Sequence, residues 1–181
     1  LVARHENVIA VLNADGSVDT TWPAPNTNMP STIAVQDGKA VIAADGTMYR
    51  VDGSGVDVTF DPTLFPLPPN NIHVLPDDKM IVTGAFSAVG VFARVGIQRI
   101  TEAAAAPDTT VPSLDIEDGR INGVSAHDGG LLVFGSFTGA VGGSDKIMRL
   151  NADNSIDTGF VAPAMDGDVN DAIELQSGKV L

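Results

Sequence analysis

The groups in this chain that could do chemistry are mostly aspartates. Asp19, Asp57, Asp108 and Asp157 fall at like positions in four related segments. Carboxylates serve general acid–base catalysis and hard-cation binding, so four of them in phase invite both readings. Catalytic groups are built once in a domain, whereas architecture recurs with each unit. The four aspartates therefore read as structural, bonding turns or strand ends. Arg50, Arg99 and Arg149 recur with them and are expected to pair with such carboxylates between neighbouring units.

Asn13, Asp15, Ser17 and Asp19 alternate like the start of a calcium loop, and Asn151, Asp153, Ser155 and Asp157 match them. Such a loop needs a bidentate glutamate at its twelfth position. Ala24 and Ala162 stand there instead, so a hairpin turn is the simpler account. His5, His73 and His127 show no ligand spacing, and Gly53-Ser54-Gly55 reads as a turn, because no helix and no Lys-Ser/Thr follow to cradle a phosphate. No serine-nucleophile elbow and no zinc-helix motif occurs. A carboxylate pair assembled in space, as in a glycosidase, leaves no mark in sequence. No catalytic, cofactor or metal residue is assigned, and no enzyme activity is expected.

The elements that hold these residues follow from the repetition. Leu12-Asn13-Ala14-Asp15-Gly16-Ser17-Val18-Asp19-Thr20 returns as Leu150-Asn151-Ala152-Asp153-Asn154-Ser155-Ile156-Asp157-Thr158. Diverged copies start at Val51 and Ile100, so the spacings are 39, 49 and 50. A second set of markers, Lys39, Lys79, Gly130 and Lys179, is spaced by 40, 51 and 49. Periods of about 40–50 residues belong to four-stranded propeller blades or to helical solenoids. The pattern favours strands. Val18, Thr20 and Trp22 alternate with polar residues, as do Val56, Val58 and Phe60, and Ile156, Thr158 and Phe160. Period two predicts strands with one face buried. Residues 8–12 and 131–134 are continuously apolar, as strands covered on both faces are. Asp-Gly at 15–16, 37–38 and 45–46 predicts tight turns with positive φ, and the short 102–106 run is the one helix-like stretch.

The expected fold is all-β: a propeller-like array of about four antiparallel four-stranded blades. It forms one repeat region over 1–181, with units 1–32, 33–71, 72–120 and 121–168 and a partial unit 169–181. Leu181 stops at the phase of Val41, and Leu1 resumes near it. Either the termini share one blade or the array belongs to a larger propeller; the second is the expectation. Two units carry Gly-rich additions, 84–90 and 135–143, with Phe86 and Phe137 in phase 51 residues apart. These mark a candidate interaction surface, or simply the full-length form of the unit.

Composition narrows the partners. Of 181 residues 44% are hydrophobic, and the 19 Gly and 11 Pro suit short strands and turns. The net charge of −13 repels polyanions, so neither nucleic acid nor an anionic membrane is an expected partner. No signal peptide is seen and no apolar run reaches 18 residues, so no membrane insertion is expected. With no cysteine, disulfides and thiolate sites are excluded.

Gly-x-Phe-Thr-x-x-x-Gly-Gly at 135–143, then Arg-Leu-Asn-Ala-Asp-x-Ser-Ile-Asp-Thr-x-Phe at 149–160 and Gln-x-Gly-Lys-Val-Leu at 176–181, resembles the delta-sixty repeat. The resemblance covers essentially the whole chain, is specific in the last unit and in 72–100, and is degraded in the first two units. It implies a β-propeller found in bacterial surface or secreted proteins and in phage tail-associated proteins, without a defined activity. The expected role is a structural or interaction module of a larger extracellular assembly, first a phage tail or host-attachment apparatus. The partners would then be other structural proteins of that assembly, with localisation in a virion or at a cell surface. The rival is a bacterial surface or secreted propeller that binds carbohydrate, using Trp22, Tyr49, Phe86 or Phe137 as stacking platforms; a host-surface glycan is a further candidate partner. A hydrolase or lyase on the same scaffold ranks last.

Overall fold

The computed structural model describes residues 2–5, 8–22, 30–58, 60, 65–67, 69–89, 92–93, 95–101, 107–109, 114, 116, 118–127, 130–138 and 144–181. Ala24, Val111, the 102–106 run, Asp128-Gly129 and 139–143 lie outside them, as do the side chains of His5 and His127. Every described element is a strand, and every pairing is antiparallel.

Sheets follow one another along the chain. β1 (Val2–His5) pairs with β2 (Val8–Val11). β3 (Pro30–Gln36), β4 (Lys39–Ala44), β5 (Thr47–Asp52) and β6 (Gly55–Val56) form a four-stranded meander. β7 (Pro69–Val74) and β8 (Met80–Gly84) come next, and a small ribbon of β9 (Ala88–Val89) and β10 (Phe92–Ala93) precedes β11 (Ile97–Ile100). β8 lies between β7 and β11. In the last sheet β13 (Gly130–Gly135) lies between β12 (Ile121–His127) and β14 (Ile147–Leu150). Residues 173–181 form one further turn, with bonds in both directions between Ile173 and Leu181.

Both faces of β4, β8 and β13 are covered, as the apolar run at 131–134 predicts for β13, whereas in the run at 8–12 only Ile9 is buried among the described residues. On β13, Leu131 and Val133 join one core cluster while Leu132 and Phe134 join another. On β4, Val41 and Ala43 face one cluster and Ala40, Ile42 and Ala44 the other. On β8, Met80 and Val82 share the cluster of Val41, while Ile81 shares that of Leu131. Each core layer is thus the space between consecutive sheets, and the sheets stack in chain order. Full burial of a side chain of this size is worth roughly 1.5–3 kcal/mol, so these layers supply most of the drive to stack.

The turns correct one expectation in detail. Asp37-Gly38 and Asp45-Gly46 both have positive φ at each residue, the form a two-residue hairpin needs. At 15–16 only Gly16 does, with φ 87°. Its amide bonds to the Asn13 carbonyl and the Asn13 amide to the Ser17 carbonyl, which makes a three-residue hairpin loop. Asn154, at φ 63°, takes that left-handed place in the matching turn.

The fourth strand is the larger correction. Among the described residues only β6 stands there as a strand, and it has two residues. Elsewhere the fourth position is a single bridge: Leu12 with Val18, Ile100 with Pro107, Leu150 with Ile156. Val18, Val56 and Val58 are 56%, 52% and 91% exposed, not one buried face, whereas Phe60 is buried. The alternation arises because one bridge residue is followed by an aspartate that turns the chain.

Candidate functional site

That aspartate corner is where the recurring polar residues meet. The amides of Asp19, Asp57, Asp108 and Asp157 donate to the carbonyls of Val11, Arg50, Arg99 and Arg149, each at 2.8 Å. In three of the four, the arginine side chain closes the corner. Arg50 Nε and Nη2 lie 3.0 and 2.9 Å from Asp57 Oδ2, and the same atoms of Arg99 lie 3.0 and 2.9 Å from Asp108 Oδ2. Arg149 reaches Asp157 Oδ2 at 2.7 Å through both. The pairing is within one sheet, not between units, because the aspartate follows its arginine by only 7 to 9 residues across one hairpin.

Further groups finish each corner. Lys39 Nζ lies 2.7 Å from Asp57 Oδ2, and Lys79 Nζ lies 3.6 Å from Asp108 Oδ2. Gly130 holds that place in the β12–β14 sheet, where a Cβ would stand 2.0 Å from the Leu150 carbonyl oxygen. Without that lysine, Asp157 is more exposed than Asp57, at 24% against 7%. Phe60 lies under the Arg50 guanidinium at 4.9 Å, and Phe160 under that of Arg149 at 5.0 Å. In the first unit Val11 stands in the arginine's place. There Asp19 Oδ1 instead accepts the Thr21 amide and hydroxyl at 2.9 and 2.6 Å.

For two of the corners the contacts favour the ionised carboxylate. Hydrogen bonds from Arg149 and from the Gly159 amide keep Asp157 below the ordinary aspartate range. The Thr21 hydroxyl and amide do the same for Asp19. Ser17, Ser54 and Ser155 lower Asp15, Asp52 and Asp153 in the same way.

The calcium-like segments use the same economy. Asp15 Oδ1 accepts the Ser17 amide and hydroxyl at 2.9 and 2.6 Å, and Asn13 Nδ2 donates to Ser17 Oγ at 3.0 Å. Asn151, Asp153 and Ser155 reproduce those three distances. The oxygens are directed into the turn. Among the described residues no three His, Cys, Asp or Glu are grouped to hold a metal ion. Gly53-Ser54-Gly55 is the β5–β6 turn, with Ser54 bonded to Asp52 Oδ1. His73 is half-buried, and burial pushes its pKa down.

Aromatic placement bears on the glycan reading. Phe86 and Phe137 are buried at 1% and 0% exposure. Trp22 and Tyr49 pack against the layer of Ile9, Ala40 and Ile42. The two Gly-rich additions are pinched at their bases by matching bonds. Gly84 donates to Gly96 and Gly96 to Phe86; Gly135 donates to Lys146 and Lys146 to Phe137. Their phenylalanines are anchors in the core and present no stacking platform.

Sequence reasoning missed the groups that join sheet to sheet. β3, β7 and β12 each carry a bulge one residue from their start, at Ser31, Asn70 and Asn122. A bulge re-aims its side chain. Ser31 Oγ donates to the Pro69 carbonyl, Asn70 Nδ2 to that of Ile121 at 3.0 Å, and Asn122 Nδ2 to that of Val169 at 3.0 Å. Each acceptor begins the next sheet or segment. Two longer links run beside them: Gln36 bonds Arg50 and the Asp78 carbonyl, and Arg149 Nη1 lies 3.7 Å from Glu174 Oε1. The signal was a small polar residue two before an aliphatic one, at 31–33, 70–72, 122–124 and 170–172.

Residues 127–160 match the model of a domain of unknown function described as a beta-propeller (DUF5122). No curated protein and no solved structure matches the chain. The matched stretch holds β13, β14 and the corner of Arg149, Asp157 and Phe160. The chain is an all-β protein of stacked antiparallel sheets, and its best-marked sheet is similar to a β-propeller family.

Proposed function

We propose that the chain is a non-enzymatic structural and interaction module of a larger extracellular assembly. The observation that carries this reading is the recurrence of the Asp–Arg corner. Its most strongly engaged polar side chains hold bends and ion pairs of the sheets themselves, in three sheets by the same geometry. The resemblance to the delta-sixty repeat supports a virion as that assembly, in the tail or host-attachment apparatus, with other structural proteins as partners. The charge of −13 suits a partner other than nucleic acid.

Immunogold electron microscopy with an antibody against the chain tests the assembly. Label on tails of particles from a lysate of the producing cells is the expected result. Label confined to the cytoplasm, with bare particles and bare cell surfaces, contradicts it.

A further inference from the structure

The three arginine corners differ at one atom. Arg50 Nη1 donates to Gln36 Oε1 at 3.0 Å, and Arg149 Nη1 lies 3.7 Å from Glu174 Oε1. Each of these guanidiniums so gains an oxygen besides its aspartate. Arg99 gives Nε and Nη2 to Asp108 Oδ2 as the others do, but among the described residues no oxygen bonds its Nη1. Lys79 stands 3.6 Å from the same carboxylate, so two cations share Asp108. The other carboxylate nearby, Asp77, is 54% exposed and lies 3.5 Å from Lys79.

Arg99 faces a cavity. It lies opposite Ile81 in the β8–β11 register, and Ile81 packs in the layer between that sheet and β12–β14. A cavity of about 20 Å³ lies there, lined by Arg99, Gln98 and Asn154 with Ile81, Leu114 and Leu150. It has room for one atom or one water-sized group and none for an organic ligand. Asn154 enters from the opposite sheet. It holds the left-handed place of the turn after β14, at φ 63°, where the first unit has Gly16. The residue is 6% exposed, and its Nδ2 is buried without a hydrogen-bond partner. Buried donors in native proteins are supplied with an acceptor.

We propose that this cavity binds a monovalent anion of chloride's size, held between the Arg99 guanidinium and Asn154 Nδ2. The two groups that lack an acceptor are both donors. An anion accepts from both and brings no hydrogen of its own, whereas a water brings two. Gln98 directs its Nε2 at the Arg99 and Asp108 carbonyls, at 2.5 and 3.4 Å, and the remaining walls are aliphatic. The ion takes the part for Arg99 that Glu174 takes for Arg149. It also joins two sheets, because Arg99 belongs to β11 and Asn154 to the turn after β14. Burial strengthens the contact, since little water screens it. The Arg99 side chain is 14% exposed, which leaves the ion a way in. The site belongs to the stack itself, whatever assembly the chain serves.

Melting in sodium chloride and in sodium gluconate of equal ionic strength tests the site, gluconate being too large to enter. Chloride at several times its dissociation constant is expected to raise the melting temperature by about 2–4 °C. Asn154→Gly keeps the left-handed turn, as Gly16 does, and removes the donor. It is expected to fold, read by circular dichroism, and to melt alike in the two salts. Asn154→Asp brings its own oxygen and is expected to melt alike in them too; it decides the matter if the glycine variant does not fold. Crystals grown with sodium bromide should show anomalous scattering between Asn154 and Arg99. Equal melting of the unaltered chain in both salts overturns the proposal, as does a chloride effect that survives in the variants. So does a crystal without bromide at the site, or a bromide peak with no effect in solution, which is an adventitious ion only.

Discussion

At the scale of single residues, an aspartate matters here according to the cation beside it. Asp57 is buried with Arg50 and Lys39, so Asp57→Ala leaves two cations without their anion. Breaking such a pair costs about 3–5 kcal/mol, and urea unfolding should show a loss of that order. Asp19→Ala should cost clearly less in the same assay, because Val11 offers no charge to strand. The pH dependence has a definite sign. Asp15, Asp19, Asp52, Asp153 and Asp157 are all depressed by bonds to the ionised form. Their stabilisation is complete above the ordinary aspartate pKa and disappears as pH falls through the depressed values. His73 adds an earlier loss: burial favours its neutral form, so stability declines as pH falls below the ordinary histidine value. Melting temperature followed from pH 8 downward should fall in two stages. The aspartates and arginines were legible from spacing alone. Their partners within one sheet were not, because a hairpin's width has to be known before a residue 7 to 9 places on can be put beside its arginine.

Among the elements, the least conspicuous residues join the sheets. Asn70 links β7 to the start of β12 and accepts from the buried Thr83 hydroxyl at 3.3 Å. Asn70→Ala removes both bonds and leaves the Thr83 hydroxyl buried; the cost should be about 1–3 kcal/mol in urea unfolding. Arg120→Ala, which loses a bond to Asn122 at an exposed site, should be nearly neutral. The central strand β13 could be read from its apolar run at 131–134, since burial on both faces needs no other signal. The bulges could not. A bulge is one residue out of register, and Pro69-Asn70-Asn71 looks like any turn until the pairing of β7 with β8 is known. The fourth strand was over-read for the opposite reason. Alternation through Val56, Val58 and Phe60 fits a strand, but the Asp57 corner ends the pairing after Val56.

For the molecule as a whole, three of the described sheets, β3–β6, β7–β8–β11 and β12–β14, share one corner construction in which the recurring polar residues are engaged. Stacked units that touch only their neighbours gain stability from each interface in turn. Alternate residues of β4, β8 and β13 face opposite neighbours, so these sheets follow one another in chain order. The most direct test is native-state hydrogen exchange read residue by residue at the four corner amides. Asp19, Asp57, Asp108 and Asp157 each donate at 2.8 Å to the strand before them. All four amides should exchange far more slowly than an open-chain amide, with Asp19 the least protected because no arginine closes its corner. Exchange of Asp57, Asp108 or Asp157 at the open-chain rate would contradict the shared corner, and with it the assignment of these residues to architecture.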